Sequence, residues 1–129
     1  MIVFSDTDFT VAEVMEIFSH ASWTAHRTYD QVSLLLVNTD IVVMGKYENK
    51  PVAFARVITD KVTRAFLEDV IVIPEYRGTG VSRLLLDEIY NRVHTMGMNR
   101  IEANTQTPEF WKKVGWTVRE DNSLIIKRF

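Results

Sequence analysis

Apolar residues recur at helical spacing in the first part of the chain, at Val11, Val14, Met15 and Phe18. This spacing predicts a helix that runs to about Ser19. Thr10 stands just before the pattern and Glu13 comes three residues after Thr10, which is the sequence of a capping box at a helix N-terminus. The short apolar stretch from Met1 to Phe4 indicates an edge strand.

A second helix is predicted from Tyr29 to Val37, with the run Leu34–Leu36 in its buried part. The segment Ala21–Thr28 lies between the two helices and has no regular apolar spacing. We therefore expect an irregular connection there. It is rich in polar and aromatic side chains, namely Trp23, His26 and Arg27.

The middle of the chain is rich in residues that favour strands. Two such stretches, Ile41–Tyr47 and Val52–Thr59, flank the turn residues Glu48–Lys50, which predicts a β-hairpin. A second turn at Asp60–Lys61 leads into a third strand, Thr63–Ile73. These three strands are therefore expected to be neighbours in one sheet.

The end of the third strand is continuously apolar from Val70 to Ile73, as is typical of a strand covered on both faces. Pro74 ends the strand because it has no N–H to donate. A long helix is then predicted from about Thr79 to Met96, and Gly97 ends it. Its apolar face consists of Val81, Leu84, Leu85, Ile89, Val93 and Met96.

The remaining sequence predicts a short strand at Arg100–Asn104 and a short helix at Pro108–Val114. From Trp116 onward, two terminal strands are expected around the turn residues Asp121–Asn122. This order of elements indicates a mixed α/β fold with a strand–helix–strand crossover from Val70 to Ala103.

Composition narrows the class of protein. The 129 residues correspond to a single domain, 1–129, with ordinary proportions of apolar (47%) and charged (25%) residues. No apolar stretch reaches the roughly 20 residues that span a bilayer, and the N-terminus does not resemble a secretory signal. The chain has no cysteine, which excludes thiolate metal sites and a thiol nucleophile. We expect a cytoplasmic protein without a membrane partner.

Charge and histidine content argue against two further classes. The formal net charge of −2 gives no sign of a basic face, so nucleic acid is not the expected partner. The three histidines, His20, His26 and His94, form no pair at metal-ligand spacing. No metal is therefore expected.

The segment Arg77–Ser82 joins the buried strand to the long helix and contains two glycines. Backbone N–H groups at a helix N-terminus have no intrahelical partner, and together with the helix dipole they favour an anion such as a pyrophosphate. Arg77 adds a positive charge nearby. The alternative is a strand-to-helix turn whose glycines serve geometry alone. A P-loop is excluded, because Gly80 is not followed by lysine, and Arg83 stands where a dinucleotide fingerprint needs its third glycine.

The stretch Val70–Gly80 resembles the acetyl-CoA-binding motif of the GNAT superfamily of N-acetyltransferases. In the family pattern of Arg or Gln, any two residues, Gly, any residue, and Gly or Ala, Arg77 and Gly80 match, while Ser82 replaces the last small residue. Asn104 lies seven residues before Trp111, and Trp111–Trp116 resembles a further segment of the family. The resemblance covers the chain from about residue 9 to the end. It implies a mixed, mostly antiparallel central sheet flanked by helices.

The resemblance also implies how acetyl-CoA binds. In this family the pyrophosphate sits on loop amides, and the pantetheine arm lies beside the fourth strand, where the next strand splays away. The loop amides would be those of Arg77, Gly78, Thr79, Gly80, Val81 and Ser82. The strand contacts would come from Val70, Ile71 and Val72, and further contacts from Asn104 and Trp111. Neither a metal nor a covalent enzyme intermediate is implied.

Acetylation of an amine requires a proton acceptor. An alkylamine with a pKa near 10 is only about 0.1% neutral at pH 7. Glu68 and Asp69 precede the buried run, and an acidic residue in this place in relatives makes them the candidate bases. Strand alternation would put their side chains on opposite faces, so that one of them faces the acceptor, and Glu68 is favoured. They could equally be solvated carboxylates at a strand end.

The resemblance does not supply a residue that could protonate the departing thiolate. Family members commonly use a tyrosine at the place of Trp111, and an indole N–H has no useful acidity. The thiolate would then be protonated by water, with Trp111 packing on the pantetheine or serving as a core aromatic.

The resemblance places the acceptor pocket at the irregular segment. Trp23, His26 and Arg27 are therefore candidate substrate-binding residues. Arg27 could hold a carboxylate or phosphate of the substrate, or it could pair with an acid such as Asp60.

The leading interpretation is acetylation of a primary amine on a small metabolite or peptide by direct attack. One alternative is an acyl-CoA-binding regulatory module with little catalysis, and another is acetylation of a protein lysine or an aminoacyl-tRNA. The sequence identifies neither the acceptor nor the oligomeric state, and a homodimer is left open.

Overall fold

Four antiparallel strands form the sheet, in the order β1-β2-β3-β4. The structure is a computed structural model and describes residues 1–119 and 125–129. Along the chain the elements are β1 (Ile2–Ser5), α1 (Val11–Phe18), α2 (Tyr29–Val37), β2 (Ile41–Tyr47), β3 (Lys50–Thr59), β4 (Ala65–Val72), a short 3-10 helix (Pro74–Tyr76), α3 (Val81–Thr95) and α4 (Pro108–Lys113). The predicted mixed α/β architecture is thus present.

Strand β3 lies at the centre of the core. Consecutive residues from Val52 to Ala55 are fully buried, so the strand is covered on both faces. Helices α1 and α3 both contact it. On the α1 side, the ring of Phe18 packs edge-on against the ring of Phe54, with centroids 5.2 Å apart. This aromatic pair fixes α1 and the segment that follows it against the sheet.

Both N-terminal helices begin with a capping box. The predicted one is confirmed: the Glu13 amide donates to the Thr10 hydroxyl at 3.1 Å, and the Glu13 carboxylate accepts from the Thr10 amide. A second box links Thr28 and Gln31 in the same way, at 3.2 Å. It fixes where the irregular segment 19–28 ends and α2 begins.

The run Leu34–Leu36 is less buried than the sequence predicts. Leu34 is 64% exposed, and Leu35 and Leu36 are only partly buried. The fully buried residue of α2 is Val32. Helix α2 packs mainly on α1, so only a narrow stripe of its surface is covered.

The predicted strand at Arg100–Asn104 is reduced to one parallel bridge between Phe66 and Glu102. The Leu67 amide donates to the Glu102 carbonyl at 2.8 Å, and the Glu102 amide donates to the Ala65 carbonyl at 2.9 Å. The parallel direction confirms the predicted crossover, which runs through α3.

The predicted terminal strand pair is wrong where the structure describes it, since residues 116–119 and 125–129 form no strand. The amide of Trp116 donates to the Trp111 carbonyl at 2.9 Å, so Trp116 closes the turn after α4 instead of starting a strand. The predicted turn at Asp121–Asn122 lies outside the described residues.

Gly45 provides a test of packing at the other end of the sheet. A Cβ on Gly45 would lie 2.9 Å from Cε1 of Phe4, its partner on β1. We expect Gly45→Ala to destabilise the protein by about 1–3 kcal/mol, because the Phe4 ring must move out of a packed position. Urea unfolding measures the change. In a Phe4→Leu background the same substitution should cost less, and an equal cost would contradict the assigned cause.

Candidate functional site

The loop between β4 and α3 presents free backbone donors. Gly78 and Gly80 have positive φ angles of 74° and 92°, and Gly80 forms the N-cap of α3. No side chain caps this helix and its first turn holds no acidic residue. The N–H groups of the first turn of this 15-residue helix therefore lack intrahelical partners and form a place for an anion.

The loop also leaves room for a ligand. A Cβ placed on Gly78 or Gly80 would meet no heavy atom within 4 Å. The glycines are thus required by their backbone conformation rather than by neighbouring protein atoms. Open space beside these two glycines is compatible with the close approach of a ligand to the loop backbone.

Arg77 is placed differently from the expectation. Its amide donates to the Pro74 carbonyl at 3.2 Å, so this N–H is already used. Its side chain turns back, with Nε donating to the Val72 carbonyl at 2.9 Å and Nη2 to the His20 carbonyl at 3.4 Å. In this structure Arg77 joins the loop to the end of β4 and to the segment after α1.

The outer edge of β4 is unpaired beside the loop. The Ile73 amide donates to the Val52 carbonyl at 2.9 Å, so residue 73 faces β3 and alternation turns the backbone groups of Val70 and Val72 the other way. The bridge at Phe66, together with the bond from the Leu67 amide to the Glu102 carbonyl, is the last point at which the described backbone after α3 pairs with this edge. From Glu68 to Val72, no other described strand lies along this edge.

A β-bulge changes the faces of the two candidate bases. Phe54 of β3 pairs with Ile71, but Arg56 pairs with Glu68, so that Asp69 and Val70 together face the single residue between them. Asp69 has a φ of 54°, in the left-handed region. The expectation that alternation puts Glu68 and Asp69 on opposite faces is therefore wrong: Glu68 lies opposite Arg56, and Asp69 bonds to the same arginine.

The Asp69 carboxylate is fully buried between two arginines. Arg27 donates from Nη1 and Nη2 at 2.6 and 3.2 Å, and Arg56 donates from Nε at 2.6 Å. The carboxyl side chain has 0% exposure. Arg27 thus pairs with Asp69 and not with Asp60, whose carboxylate accepts hydrogen bonds from its own turn, including the amides of Val62 and Thr63.

Glu68 remains partly exposed next to this cluster. Burial raises the pKa of its carboxyl, and the neighbouring charge of Asp69 raises this pKa further, whereas Arg56 and Arg27 act in the opposite direction. A carboxyl with a raised pKa is a stronger base once ionised. Glu68 and the bulge lie directly before the unpaired edge of β4.

The other predicted binding residues fall into two groups. Trp23 and His26 lie on the exposed side of the segment after α1, and Trp23 is 56% exposed. Trp111 packs edge-on against Phe110 and Trp116, and the indole of Trp116 donates to the Tyr90 hydroxyl at 2.6 Å. Asn104 is exposed in the segment before α4. The ion pair between Arg27 and Asp69 therefore places the segment that contains Trp23 and His26 beside the bulge. Trp111 belongs instead to an aromatic cluster that packs against α3.

Arg56 was not identified from the sequence as a site residue. The sequence feature that could have identified it is the position of this charged residue within the apolar strand sequence Val52–Val57, most of which is buried. Such a residue almost always has a buried partner of opposite charge.

Two open depressions lie elsewhere on the surface. One of about 400 Å³ is lined by residues that include Asp6, Glu88 and Arg92, and one of about 350 Å³ by residues that include Tyr90, His94 and Met98. Neither lining contains a predicted site residue. Within residues 1–119 and 125–129, no three His, Asp or Glu side chains gather as a metal site, and no helix is long and apolar enough to cross a membrane.

Known proteins resemble this chain in sequence and structure. The sequence model of the Acetyltransferase (GNAT) family matches residues 8–116. The N-acetyltransferase ycf52 of Pyropia yezoensis is 22% identical over 118 residues, which cover 87% of this chain and 67% of the relative. Serotonin N-acetyltransferase 2 of Oryza sativa subsp. japonica, described as chloroplastic, is 24% identical over 123 residues, which cover 91% of this chain and 61% of the relative.

A crystal structure of a GNAT-family protein from Xanthomonas campestris pv. campestris has a TM-score of 0.83 and 25% identity, and the match covers 100% of this chain and 93% of that one. This chain spans between about half and two thirds of the length of the curated relatives it matches. The match over residues 8–116 includes both the glycine loop and the bulged strand. The chain therefore belongs to the Acetyltransferase (GNAT) family and is an acyltransferase enzyme.

Proposed function

We propose that this protein transfers an acetyl group from acetyl-CoA to a primary amine of a small metabolite or peptide. The observation that supports this most is the continuity of three features: free amides at the start of α3, the unpaired edge of β4 and the partly exposed carboxyl of Glu68. Together they offer a place for a phosphate, a place for an extended chain and a base.

The residues that would hold acetyl-CoA follow from this arrangement. The amides from Gly78 to Ser82 would bind the pyrophosphate, since the Arg77 amide is occupied. The backbone groups of Val70 and Val72 would pair with the pantetheine arm, and the Val72 carbonyl is accessible once Arg77 releases it. The family resemblance adds contacts from Ile71, Asn104 and Trp111. Acetyl-CoA supplies an activated thioester, whose carbon–sulfur bond breaks as the carbon–nitrogen bond forms.

Glu68 is the base we favour. The Asp69 carboxylate already accepts three N–H bonds from two guanidinium groups, so protonating it would break a buried ion pair. Glu68 has no such commitment, and its raised pKa suits removal of the proton that an ammonium must lose before attack.

No side chain is assigned as the acid for the departing thiolate, and we propose that water protonates it. The indole of Trp111 has no useful acidity. Burial raises the pKa of the Tyr90 hydroxyl, which also accepts the Trp116 indole N–H. Tyr90 is therefore a packing residue in this proposal.

A second candidate function is favoured by Trp111, which stands at the place of the tyrosine common in the family. An acyl-CoA-binding regulatory module would use the same loop without turnover. Release of CoA thiol from acetyl-CoA in the presence of candidate amines distinguishes the two, and serotonin belongs in the panel because the rice relative is named for it. A cytoplasmic location stays a prediction, since that relative is chloroplastic.

Acetyl-CoA should raise the melting temperature of the protein, because the free amides of α3 gain a partner only when an anion binds. At 100 times the dissociation constant, the stabilisation should be about 2.7 kcal/mol. Thermal unfolding with and without acetyl-CoA measures it. The absence of a shift at millimolar acetyl-CoA would contradict the proposed cofactor.

Gly80→Asp should abolish CoA binding, because the new carboxylate would accept the free N–H groups of α3 and repel the pyrophosphate. Gly97→Asp is a matched control. Gly97 lies just beyond the other end of α3 with a φ of 91°, against 92° for Gly80, and a Cβ at either glycine meets no atom within 4 Å. Each variant should lose up to about 2 kcal/mol of stability from the left-handed conformation. Calorimetric titration should show loss of CoA binding for Gly80→Asp alone; equal binding by both variants would make the glycine purely structural.

Glu68→Gln should reduce kcat/KM by about 10²–10⁴-fold near neutral pH, because the amide cannot accept the amine's proton. The loss should shrink as pH rises towards the pKa of the amine, and CoA affinity should hardly change. The melting temperature, unlike the activity, should not fall. A carboxyl whose pKa is raised by folding loses its stabilising contribution as pH rises through that raised value, so an uncharged glutamine should preserve or raise the melting temperature at pH 7.

Asp69→Asn is the contrast for this experiment, since it should lower the melting temperature by leaving two largely buried arginines without their carboxylate. Unchanged kcat/KM for Glu68→Gln at pH 7 would defeat the assignment of Glu68 as the base.

A further inference from the structure

Arg27, Arg56 and Asp69 form a largely buried cluster that determines which charges the proposed acceptor site can offer. The side chains of the two arginines are 19% and 11% exposed, and that of Asp69 is 0% exposed. Both guanidinium groups donate to the same carboxylate. Neither arginine is thus a surface cation.

Each guanidinium is also held from a second side. The guanidinium carbon of Arg27 lies 5.1 Å from the centroid of the Phe18 ring. Nη1 of Arg56 donates to the Thr39 hydroxyl at 3.3 Å, and that hydroxyl donates to the Leu35 carbonyl. To turn either arginine towards a substrate would leave the Asp69 carboxylate buried with one partner fewer, which is costly.

Anionic acceptors are commonly held by the planar fork of an arginine, which donates two parallel N–H bonds to a carboxylate or phosphate. In the segment Ala21–Thr28 the only arginine is Arg27, and its two terminal nitrogens are the ones bonded to Asp69. An amino-acid or phosphate-bearing acceptor would find no free fork there.

Among the described residues, the carboxylate of Glu68 is the charged group beside the proposed acceptor position that has no hydrogen-bonded partner. Two arginines and Asp69 leave one positive charge, which the ionised carboxylate of Glu68 balances. The group as a whole is then neutral, but Glu68, which is partly exposed, is the member that is not hydrogen-bonded within it. A second carboxylate next to the reacting amine would approach Glu68 against like-charge repulsion.

We infer that the acceptor is a primary amine with no carboxylate or phosphate beside the reacting nitrogen, and that Asp69 sets this specificity by taking up both arginines. The inference rests on the proposed acetyl transfer and specifies its substrate class. Asp69 is a positioning residue here, because it acts through the arginines and touches no reacting atom.

Matched pairs of amines test the inference on the unaltered protein. Tryptamine and tryptophan differ by one carboxylate, as do tyramine and tyrosine. We expect kcat/KM, followed by release of CoA thiol, to favour the amine without the carboxylate by at least about tenfold in each pair, equivalent to ~1.4 kcal/mol. Equal values, or a preference for the amino acids, would overturn the inference.

Two variants then test the part played by the cluster. In Asp69→Asn the guanidinium charges are no longer balanced, so the preference should shrink by about tenfold, mainly through a lower KM for the amino acid. In Arg27→Lys, which keeps the positive charge beside Asp69 but removes the planar fork, the preference should stay unchanged, since the inference gives Arg27 no contact with the acceptor. A preference that rises in Arg27→Lys would show that the fork of Arg27 binds the acceptor's anion, and would overturn the inference.

The outcomes separate this inference from the proposed function. Circular dichroism and thermal unfolding with acetyl-CoA establish whether Asp69→Asn is folded; if it is not, the unaltered protein and Arg27→Lys decide. If no amine is acetylated while acetyl-CoA still binds, the substrate class is wrong and the cofactor assignment stands. If acetyl-CoA does not bind, the proposed function itself fails.

Discussion

One buried carboxylate connects the parts of the proposed site. Asp69 sits in a β-bulge with a left-handed backbone and accepts N–H bonds from Arg27, which follows α1, and from Arg56 on β3. The conformation of Asp69 is uncommon for a residue with a side chain, and the surrounding ion pairs compensate for it. Through these bonds the bulge, the central strand and the irregular segment behave as one unit. Glu68, the adjacent residue, owes its place on the Arg56 face to that unit.

The proposed cofactor site depends on backbone rather than on side chains. Amides at the start of α3 and the free edge of β4 need only the right path of the chain, which glycines at positive φ and a diverging neighbour provide. Such a site tolerates wide exchange of side chains. The same fold occurs in a protein at 25% identity with a TM-score of 0.83, which is compatible with a site defined by the path of the chain. Acceptor recognition, by contrast, would depend in our proposal on side chains such as those near the bulge.

Local sequence patterns predicted most of the fold. The structure departs from the predictions where it depends on pairing between residues that are far apart in the sequence. The capping box at Thr10, the hairpin and the glycine loop each depend on neighbouring residues, and each was predictable. Strand alternation failed at Asp69 because a bulge depends on the register with β3, which the sequence of β4 does not contain. The partner of Arg27 lies 42 residues away, so Asp60 and Asp69 could not be distinguished without the fold. Arg77 likewise turned inward because the Val72 carbonyl lay unpaired within its reach.

The unpaired edge of β4 has a consequence for the protein between catalytic cycles. A free strand edge is a template on which another chain can add a strand, and proteins protect such edges by keeping them short, charged or bent. This edge is short, begins at a carboxylate and is bent by the bulge, while Arg77 covers the carbonyl at its far end. The same features that in our proposal admit the pantetheine arm therefore also protect this edge from pairing with a second copy of the chain.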